Sequence, residues 1–156
     1  MKAPIPSQHI LVVDDEPMVR DALKMLLTFD GHTTELANDG PSALKKLSKR
    51  KFDVVFTDLK MQGMLGDALA RTIKREYPQQ VVVMVTAYGD ILSPRQKLSI
   101  PVDFLVSKPF SIRGLRNALR HAHELNENRQ IAATLPLLAD SLAVPTATGK
   151  KKAAHC

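Results

Sequence analysis

Five short runs of β-branched apolar residues alternate along the chain with longer segments that have helical spacing. This alternation predicts an open α/β fold, in which right-handed crossovers connect the strands of a parallel sheet. The run VVVMV is apolar at every position, as in a central parallel strand that helices cover on both faces. The predicted strands are residues 9–13, 33–36, 52–57, 81–85 and 102–106.

The segments between the strands have the apolar spacing of amphipathic helices. Pro17 suits a first helical turn, and Ser111 is a predicted N-cap. Pro94 and Pro101 bracket the fourth crossover, so we predict a short or distorted helix within residues 89–100. The other predicted helices are residues 17–29, 41–51, 67–77 and 112–128.

The length and composition fit one folded domain with short appendages. The chain has 156 residues, of which 44% are hydrophobic and 24% charged, close to average globular usage. We expect an N-terminal extension over residues 1–8 and the domain over residues 9–128. Residues 129–156 are predicted to be a mostly disordered tail or linker stub, with a short helix interrupted by Pro136 as the alternative.

The sequence has no apolar run near the roughly 18 residues that span a bilayer, and no apolar stretch typical of a secretory signal. Its one cysteine, Cys156, has no partner for an internal disulfide. We therefore expect a cytoplasmic protein without membrane contact.

The formal charge of +6 raises the question of a nucleic-acid partner. Three lysines and Asp140 give residues 131–156 a net charge of +2, so +4 is spread over the rest. The basic cluster at residues 45–51 is interpreted as a solvated helix end rather than a phosphate-backbone footprint. Direct nucleic-acid binding is not expected.

Polar residues follow four of the five predicted strands. Asp14 and Asp15 follow the first, Asp58 the third, Thr86 ends the fourth, and Lys108 comes shortly after the fifth. Because ligands of an open α/β sheet gather outside the carboxyl ends of its strands, these side chains are expected at one edge.

Three carboxylates at one edge require neutralisation, and Mg²⁺ is the hard cation that suits oxygen ligands. Lys108 would add a positive charge for a phosphate oxygen, Thr86 a hydroxyl, and the small Ala87 leaves room for an incoming group. In-line phosphoryl transfer needs such a set. Alone, the aspartate pair could be a helix cap and the other residues ordinary surface groups. Their coincidence on one edge favours a phosphate acceptor.

Four motifs in this sequence resemble those of response-regulator receiver domains in two-component signalling, the CheY-like superfamily. The motifs are VVDDEP (12–17), TDLKMQGMLG (57–66), VTAYGD (85–90) and SKPF (107–110), and the resemblance covers residues 9 to about 128. The intervals of 44, 28 and 22 residues from Asp14 through Asp58 and Thr86 to Lys108 are also typical. The resemblance implies a flavodoxin-like (βα)5 fold with strand order 2-1-3-4-5.

The resemblance also implies roles for the residues at the predicted edge. Asp58 would be the phosphoacceptor, and it would ligate Mg²⁺ together with Asp15 and the backbone carbonyl of Lys60. Asp14 would act on the ion mainly through water. In addition, Thr86 and Lys108 would contact the phosphoryl group, and Lys108-Pro109 would be a cis peptide.

Several residues depart from the family pattern. Gln62 stands where proline is frequent, which predicts a looser loop after Asp58. Leu105 occupies the usual place of the switch aromatic, and Phe104 one residue earlier would face the other way. We therefore predict an atypical switch and an atypical partner surface. Lys60 and Tyr88 are interpreted either as shields that slow loss of the phosphoryl group or as exposed loop residues.

The resemblance implies a sensor histidine kinase or phosphotransfer protein as the donor, and an effector protein downstream. A homodimer is left open. The receiver would catalyse only its own phosphotransfer and dephosphorylation, so it would not be a conventional enzyme. A haloacid-dehalogenase-type phosphatase is disfavoured because Lys60 occupies the place of its second acid. The complete acid, threonine and lysine set disfavours an inactive scaffold, and residues 129–156 are too few for a helix-turn-helix.

Overall fold

The computed structural model describes residues 3–87 and 92–142, and within them a parallel sheet of five strands is flanked by five helices. In chain order the elements are β1 (His9–Val13), α1 (Pro17–Phe29), β2 (Thr33–Ala37), α2 (Gly40–Lys49), β3 (Val54–Thr57), α3 (Gly66–Glu76), β4 (Val81–Thr86), α4 (Pro94–Ser99), β5 (Phe104–Ser107) and α5 (Ile112–Leu142). The strand order is β2-β1-β3-β4-β5, which confirms the predicted flavodoxin-like fold.

The core has two layers, one on each face of the sheet. Ile10 and Val12 pack with α1 and α5, whereas Leu11 and Val13 face α2 and α3. This division follows from the alternation of side chains along a strand. All six residues of β4 are buried, as expected for a strand with helices on both faces.

Two strands begin later than predicted. At β3, Asp53 turns its carboxylate to accept a hydrogen bond from the His9 N–H (2.7 Å), and the ladder starts at Val54. At β5, the Asp103 carboxylate accepts from the Val82 N–H (2.8 Å), and the strand starts at Phe104. In both places an aspartate side chain bonds a backbone donor of the neighbouring strand.

The fourth crossover contains a short helix, as predicted. α4 has six residues, none of them buried. It begins with a capping box in which the side chains of Ser93 and Gln96 bond each other's backbone N–H groups. The first turn of α5 is capped in a related way, because Ser111 Oγ accepts from the Gly114 N–H (3.0 Å).

The last helix corrects the expectation for the C-terminal tail. α5 was predicted to end at Asn128, but it continues to Leu142 with Pro136 inside it. Its added part contains four leucines and three alanines, which favour helix and offset one proline. Residues 143–156 lie outside the described part. Within that part, no helix is long and apolar enough to cross a membrane.

Residues before β1 are packed onto the domain. Gln8 is buried, and its Nε2 donates to the Leu119 carbonyl on α5 (3.1 Å). The Gln8 N–H donates to Nδ1 of the buried His32 (3.1 Å), so that nitrogen is an acceptor. Burial lowers the pKa of His32, although the charge of Asp30 partly offsets this.

Candidate functional site

The carboxyl ends of four neighbouring strands bring the predicted site residues to one edge of the sheet. The register pairs Val13 with Thr57 and Thr86 with Ser107, so the residues after these strands are neighbours. The Asp58 N–H donates to the Val13 carbonyl (3.1 Å), and the Lys108 N–H donates to the Thr86 carbonyl (3.0 Å). Backbone pairing therefore fixes where the acids and the lysine emerge.

Lys108 connects two of the acids. Its Nζ lies 3.0 Å from Asp14 Oδ2 and 3.3 Å from Asp58 Oδ2. Asp14 is only 2% exposed and Asp58 only 6%, so both carboxylates are largely removed from water. Their other oxygens accept from backbone N–H groups, Asp14 Oδ1 from Glu16 (2.9 Å) and Asp58 Oδ1 from Leu59 (2.8 Å).

The electrostatics of this group leave it short of positive charge. Burial raises the pKa of Asp58 and the charge of Asp14 adds to the rise, while Lys108 opposes it. Burial alone would lower the pKa of Lys108, but its bonds to Asp14 and Asp58 outweigh burial and raise that pKa. The ammonium is therefore well stabilised, whereas the Asp58 carboxylate is only partly compensated.

A cluster of oxygen ligands lies beside this pair. Carboxylate oxygens of Asp14, Asp15 and Glu16 all lie within 4.8 Å of one another. One lysine cannot neutralise so many carboxylates, and a hard divalent cation with retained waters fits an all-oxygen set. Glu16 was not among the predicted metal ligands, although its place directly after the two aspartates was a signal. Asp58 belongs to the site through its link to Lys108.

The loop after Asp58 differs from expectation. The Gln62 N–H donates to Asp15 Oδ2 (3.0 Å), a bond that proline at this position could not make. Gln62 therefore ties the loop to the acidic edge rather than loosening it. At the end of the loop the Gly66 N–H donates to the Leu59 carbonyl (2.8 Å).

The remaining predicted residues surround this edge. Thr86 is fully buried at the end of β4, Ala87 after it is exposed, and Lys60 is exposed in the loop after Asp58. Tyr88 lies outside the described residues. The Lys108–Pro109 peptide is cis, as expected, and Pro109 is exposed.

The two residues at the expected switch position face different ways. Phe104 packs on the α5 side, with its ring centroid 5.3 Å from that of His121. Leu105 is partly buried opposite Met84 in the β4–β5 register. Phe104 therefore does not stand in for an aromatic residue at position 105.

Comparison with known proteins agrees with this geometry. A family model for the response regulator receiver domain matches residues 10–120. The chain is 32% identical over 116 residues to the transcriptional regulatory protein GlrR of Escherichia coli, covering 74% of this chain and 26% of that protein. It is 31% identical over 114 residues to the response regulator MprA of Mycobacterium ulcerans, covering 73% and 49%. The chain thus spans about a quarter to a half of these relatives' length.

A solved structure supports the same assignment. The response regulator protein TrrA of Thermotoga maritima, crystallised in complex with Mg²⁺ and BeF, matches with a TM-score of 0.67 and 31% identity. The match covers 74% of this chain and 98% of that one. The fold, the acidic edge and the family match lead to one conclusion: the chain belongs to the receiver domains of two-component response regulators.

Proposed function

We propose that Asp58 is the residue on which this receiver accepts its phosphoryl group. An Asp58 carboxylate oxygen would attack the phosphorus of a donor phosphohistidine, forming an O–P bond as the P–N bond breaks. The leaving imidazole would take up a proton. Asp58 suits this role because its position is fixed from two sides, by its own N–H on Val13 and by the Leu59 N–H on Oδ1.

The observation that carries the proposal is the position of Lys108 Nζ between Asp14 and Asp58. Lys108 directly follows β5, and its ammonium nitrogen lies 3.3 Å from a carboxylate oxygen of the proposed nucleophile. It could exchange its contact with the Asp58 carboxylate for one with a phosphoryl oxygen, while Asp14 keeps it in place. Positioning and charge neutralisation of this kind are most of what phosphoryl transfer requires of a protein.

The acidic edge fits a Mg²⁺ ion. In this proposal Asp15, Asp58 and the Lys60 carbonyl would hold it, and Asp14 would contribute through water, with Glu16 close enough to join the set. The bound ion would neutralise charge on the phosphoryl oxygens. A Mg²⁺ site is also supported by the charges around Asp58, since the single ammonium of Lys108 is shared between the two buried carboxylates of Asp14 and Asp58.

Signal output and reset complete the proposal. Thr86, buried at the end of β4, would swing to donate a hydrogen bond to a phosphoryl oxygen. Because Leu105 occupies the usual place of an aromatic residue, the change that this swing causes at the protein surface would be unusual. Water would then attack the phosphorus and release the Asp58 carboxylate and phosphate. Lys60 and Tyr88 would slow this step by shielding the phosphoryl group. The chain would thus act once per signal, not as an enzyme with turnover on small phosphate esters.

The proposed partners are a histidine kinase or phosphotransfer protein as donor and an effector protein as target. We place the reaction in the cytoplasm. A phosphatase of the haloacid-dehalogenase type would need a second acid two residues after its nucleophile. Lys60 is there instead, and it cannot serve as a general acid-base carboxylate.

Incubation with acetyl phosphate and Mg²⁺, followed by intact mass spectrometry, tests the assignment. Wild-type protein should gain the mass of one phosphoryl group, and Asp58→Asn should gain none. Asp21→Asn is a matched control, because Asp21 is an exposed aspartate on α1 away from the edge. Phosphorylation of Asp58→Asn at the wild-type rate, or of wild-type protein equally well in EDTA, would contradict the proposal.

A further inference from the structure

An open cavity lies at the amino-terminal edge of the sheet, opposite the edge that carries Asp58. Its volume is about 570 Å³, and it is lined by residues 47–52 and 77–80, which precede β3 and β4. Ligand cavities in proteins commonly have volumes of about 300–1,000 Å³. The phosphoryl transfer proposed above uses none of the residues that line this cavity.

The floor of the cavity is apolar. Leu47 (5% exposed) and Phe52 (7% exposed) belong to the core layer that faces α2 and α3, and Tyr77 is partly buried against the same layer. The Phe52 ring also packs on the His9 ring, with the centroids 4.5 Å apart. A ligand with an apolar body would remove further carbon surface from water by lying on this floor.

Hydrogen bonds fix the wall on the α3 side. Lys74 Nζ donates to the Gln80 carbonyl (2.7 Å), and Arg129 on α5 donates to the Gln79 carbonyl (2.7 Å). Within the loop, the Gln80 N–H donates to the Tyr77 carbonyl (2.9 Å). Because the loop is held at three places, a ligand would enter a cavity that is largely formed before binding, which lowers the entropy cost of binding.

The rim of the cavity is positively charged. Lys49, Arg50 and Lys51 line it, and none of the described residues that line it is acidic. Arg50 is paired with Glu35, which lies outside the cavity (2.6 Å). Within the part of the chain that the structure describes, neither of the two lysines belongs to an ion pair. Two ammonium groups are therefore available beside the apolar floor.

The helix dipole explains only one of these lysines. Lys49 is the last residue of α2, where a cation is favoured by the dipole. Lys51 follows the helix and gains less from it. Asp53, the acid nearest to Lys51 in sequence, directs its carboxylate to the His9 N–H (2.7 Å). An anion at the rim would give both lysines a partner.

We propose that this cavity binds an amphipathic organic anion, a small molecule with an aromatic or acyl body and one negatively charged group. The body would lie on Phe52 and Tyr77, and the anionic group would lie between Lys49 and Lys51. The cavity is concave and formed by two short segments, which suits a small molecule better than an extended peptide. A ligand of about 20 non-hydrogen atoms is expected to bind with a Kd of about 10–100 µM.

Fluorescence titration of the full chain with anilinonaphthalene sulfonate, an aromatic body with one sulfonate group, tests the proposal. The Kd should be about 10–100 µM at low salt, and the double substitution Lys49→Gln and Lys51→Gln should weaken binding about three- to tenfold. Arg95→Gln with Arg113→Gln is the matched control, because it removes the same charge at exposed arginines on α4 and α5. This control should bind like wild-type protein.

Two further compounds separate charge from apolar contact. Phenylnaphthylamine has the same rings without the sulfonate, so it should bind wild-type protein and the lysine variant equally. A short peptide of glutamates has the charge without the apolar body, so it should not displace anilinonaphthalene sulfonate. Displacement by this peptide would identify an acidic chain as the better occupant and would overturn the proposal.

Amide NMR locates the bound compound. Signals of residues 47–52 and 77–80 should shift when anilinonaphthalene sulfonate is added. Phosphorylation by acetyl phosphate should be the same in all variants, so this proposal can fail while the proposed function stands. Shifts centred on another surface, unchanged binding in the lysine variant, or equal weakening in the arginine control would each refute the site. Loss of binding as the chain self-associates would also refute it, because a second copy would then cover the cavity.

Discussion

Gly66 begins α3 and packs against the backbone that carries Asp58. A Cβ atom added at Gly66 would lie 2.8 Å from the Asp58 carbonyl carbon and 2.9 Å from Leu59 Cα, and closer still to the Asp58 carbonyl oxygen. Carbon atoms prefer separations of about 3.5–4.0 Å, so α3 and the strand end must separate by about 1 Å in Gly66→Ala. Backbone atoms cannot move aside as a flexible side chain can.

Two losses should follow from this displacement. Overpacking of this kind costs about 1–3 kcal/mol of unfolding free energy, and the better helix propensity of alanine offsets only part of it. A shift of about 1 Å at a reacting group can also lower its rate about 100-fold. We therefore expect Gly66→Ala to be less stable by about 1–3 kcal/mol and to be phosphorylated much more slowly.

Urea denaturation followed by circular dichroism measures the first effect, and the rate of mass gain with acetyl phosphate and Mg²⁺ measures the second. Gly114→Ala is the matched control, since a Cβ there meets nothing closer than Ser111 Oγ at 3.4 Å. This control should be more stable by about 0.5–1 kcal/mol. If Gly66→Ala matched wild-type protein in both measurements, the close approach of Gly66 to the Asp58 backbone would be refuted.

Three further predictions concern charge. Burial raises the pKa of Asp58 in the folded protein. The buried carboxylate therefore lowers the free energy of unfolding as the pH rises above the pKa of the unfolded chain, about 4, and has no such effect well below that pH. Without Mg²⁺, Asp58→Asn should therefore unfold at higher urea than wild-type protein at pH 7, and the difference should vanish near pH 3.5. Buried His32 has a lowered pKa, so below about pH 6.5 the unfolded chain takes up a proton that the folded chain resists. Unfolding free energy should fall from pH 7.5 to pH 5.5, and His32→Phe should flatten that slope; an unchanged slope would contradict the reasoning. Lys108→Met should slow phosphorylation by acetyl phosphate at least tenfold. The control Lys24→Met, at an exposed lysine on α1, should leave the rate unchanged.

The position of the candidate site could be predicted from the sequence because topology alone determines it. Once five parallel strands are recognised, the residues after them must share an edge, and Asp14, Asp58 and Lys108 do. The pairing within that edge could not be predicted. Because a lysine side chain has four rotatable torsions, the order of the strands does not determine which carboxylate Lys108 contacts. The direct bond between Lys108 and Asp14 was not among the predicted contacts.

Close backbone approaches were also beyond prediction. Gly66 lay just before the predicted helix at residues 67–77 and had no predicted role, and Gln62 stood where proline is frequent. Their importance comes from contacts formed only in the folded chain, with the Asp58 backbone for Gly66 and with the Asp15 side chain for Gln62. The extension of α5 was missed because proline usually ends a helix, while the residues around Pro136 favour one.

The shortness of α4 affects local opening of the domain. This helix buries none of its residues, and Leu98 on it is 88% exposed. Little apolar burial therefore opposes its opening, while the adjacent strand β4 is wholly buried. Amide hydrogens of α4 should exchange with deuterium through local opening, long before those of β4, which need the whole sheet to come apart.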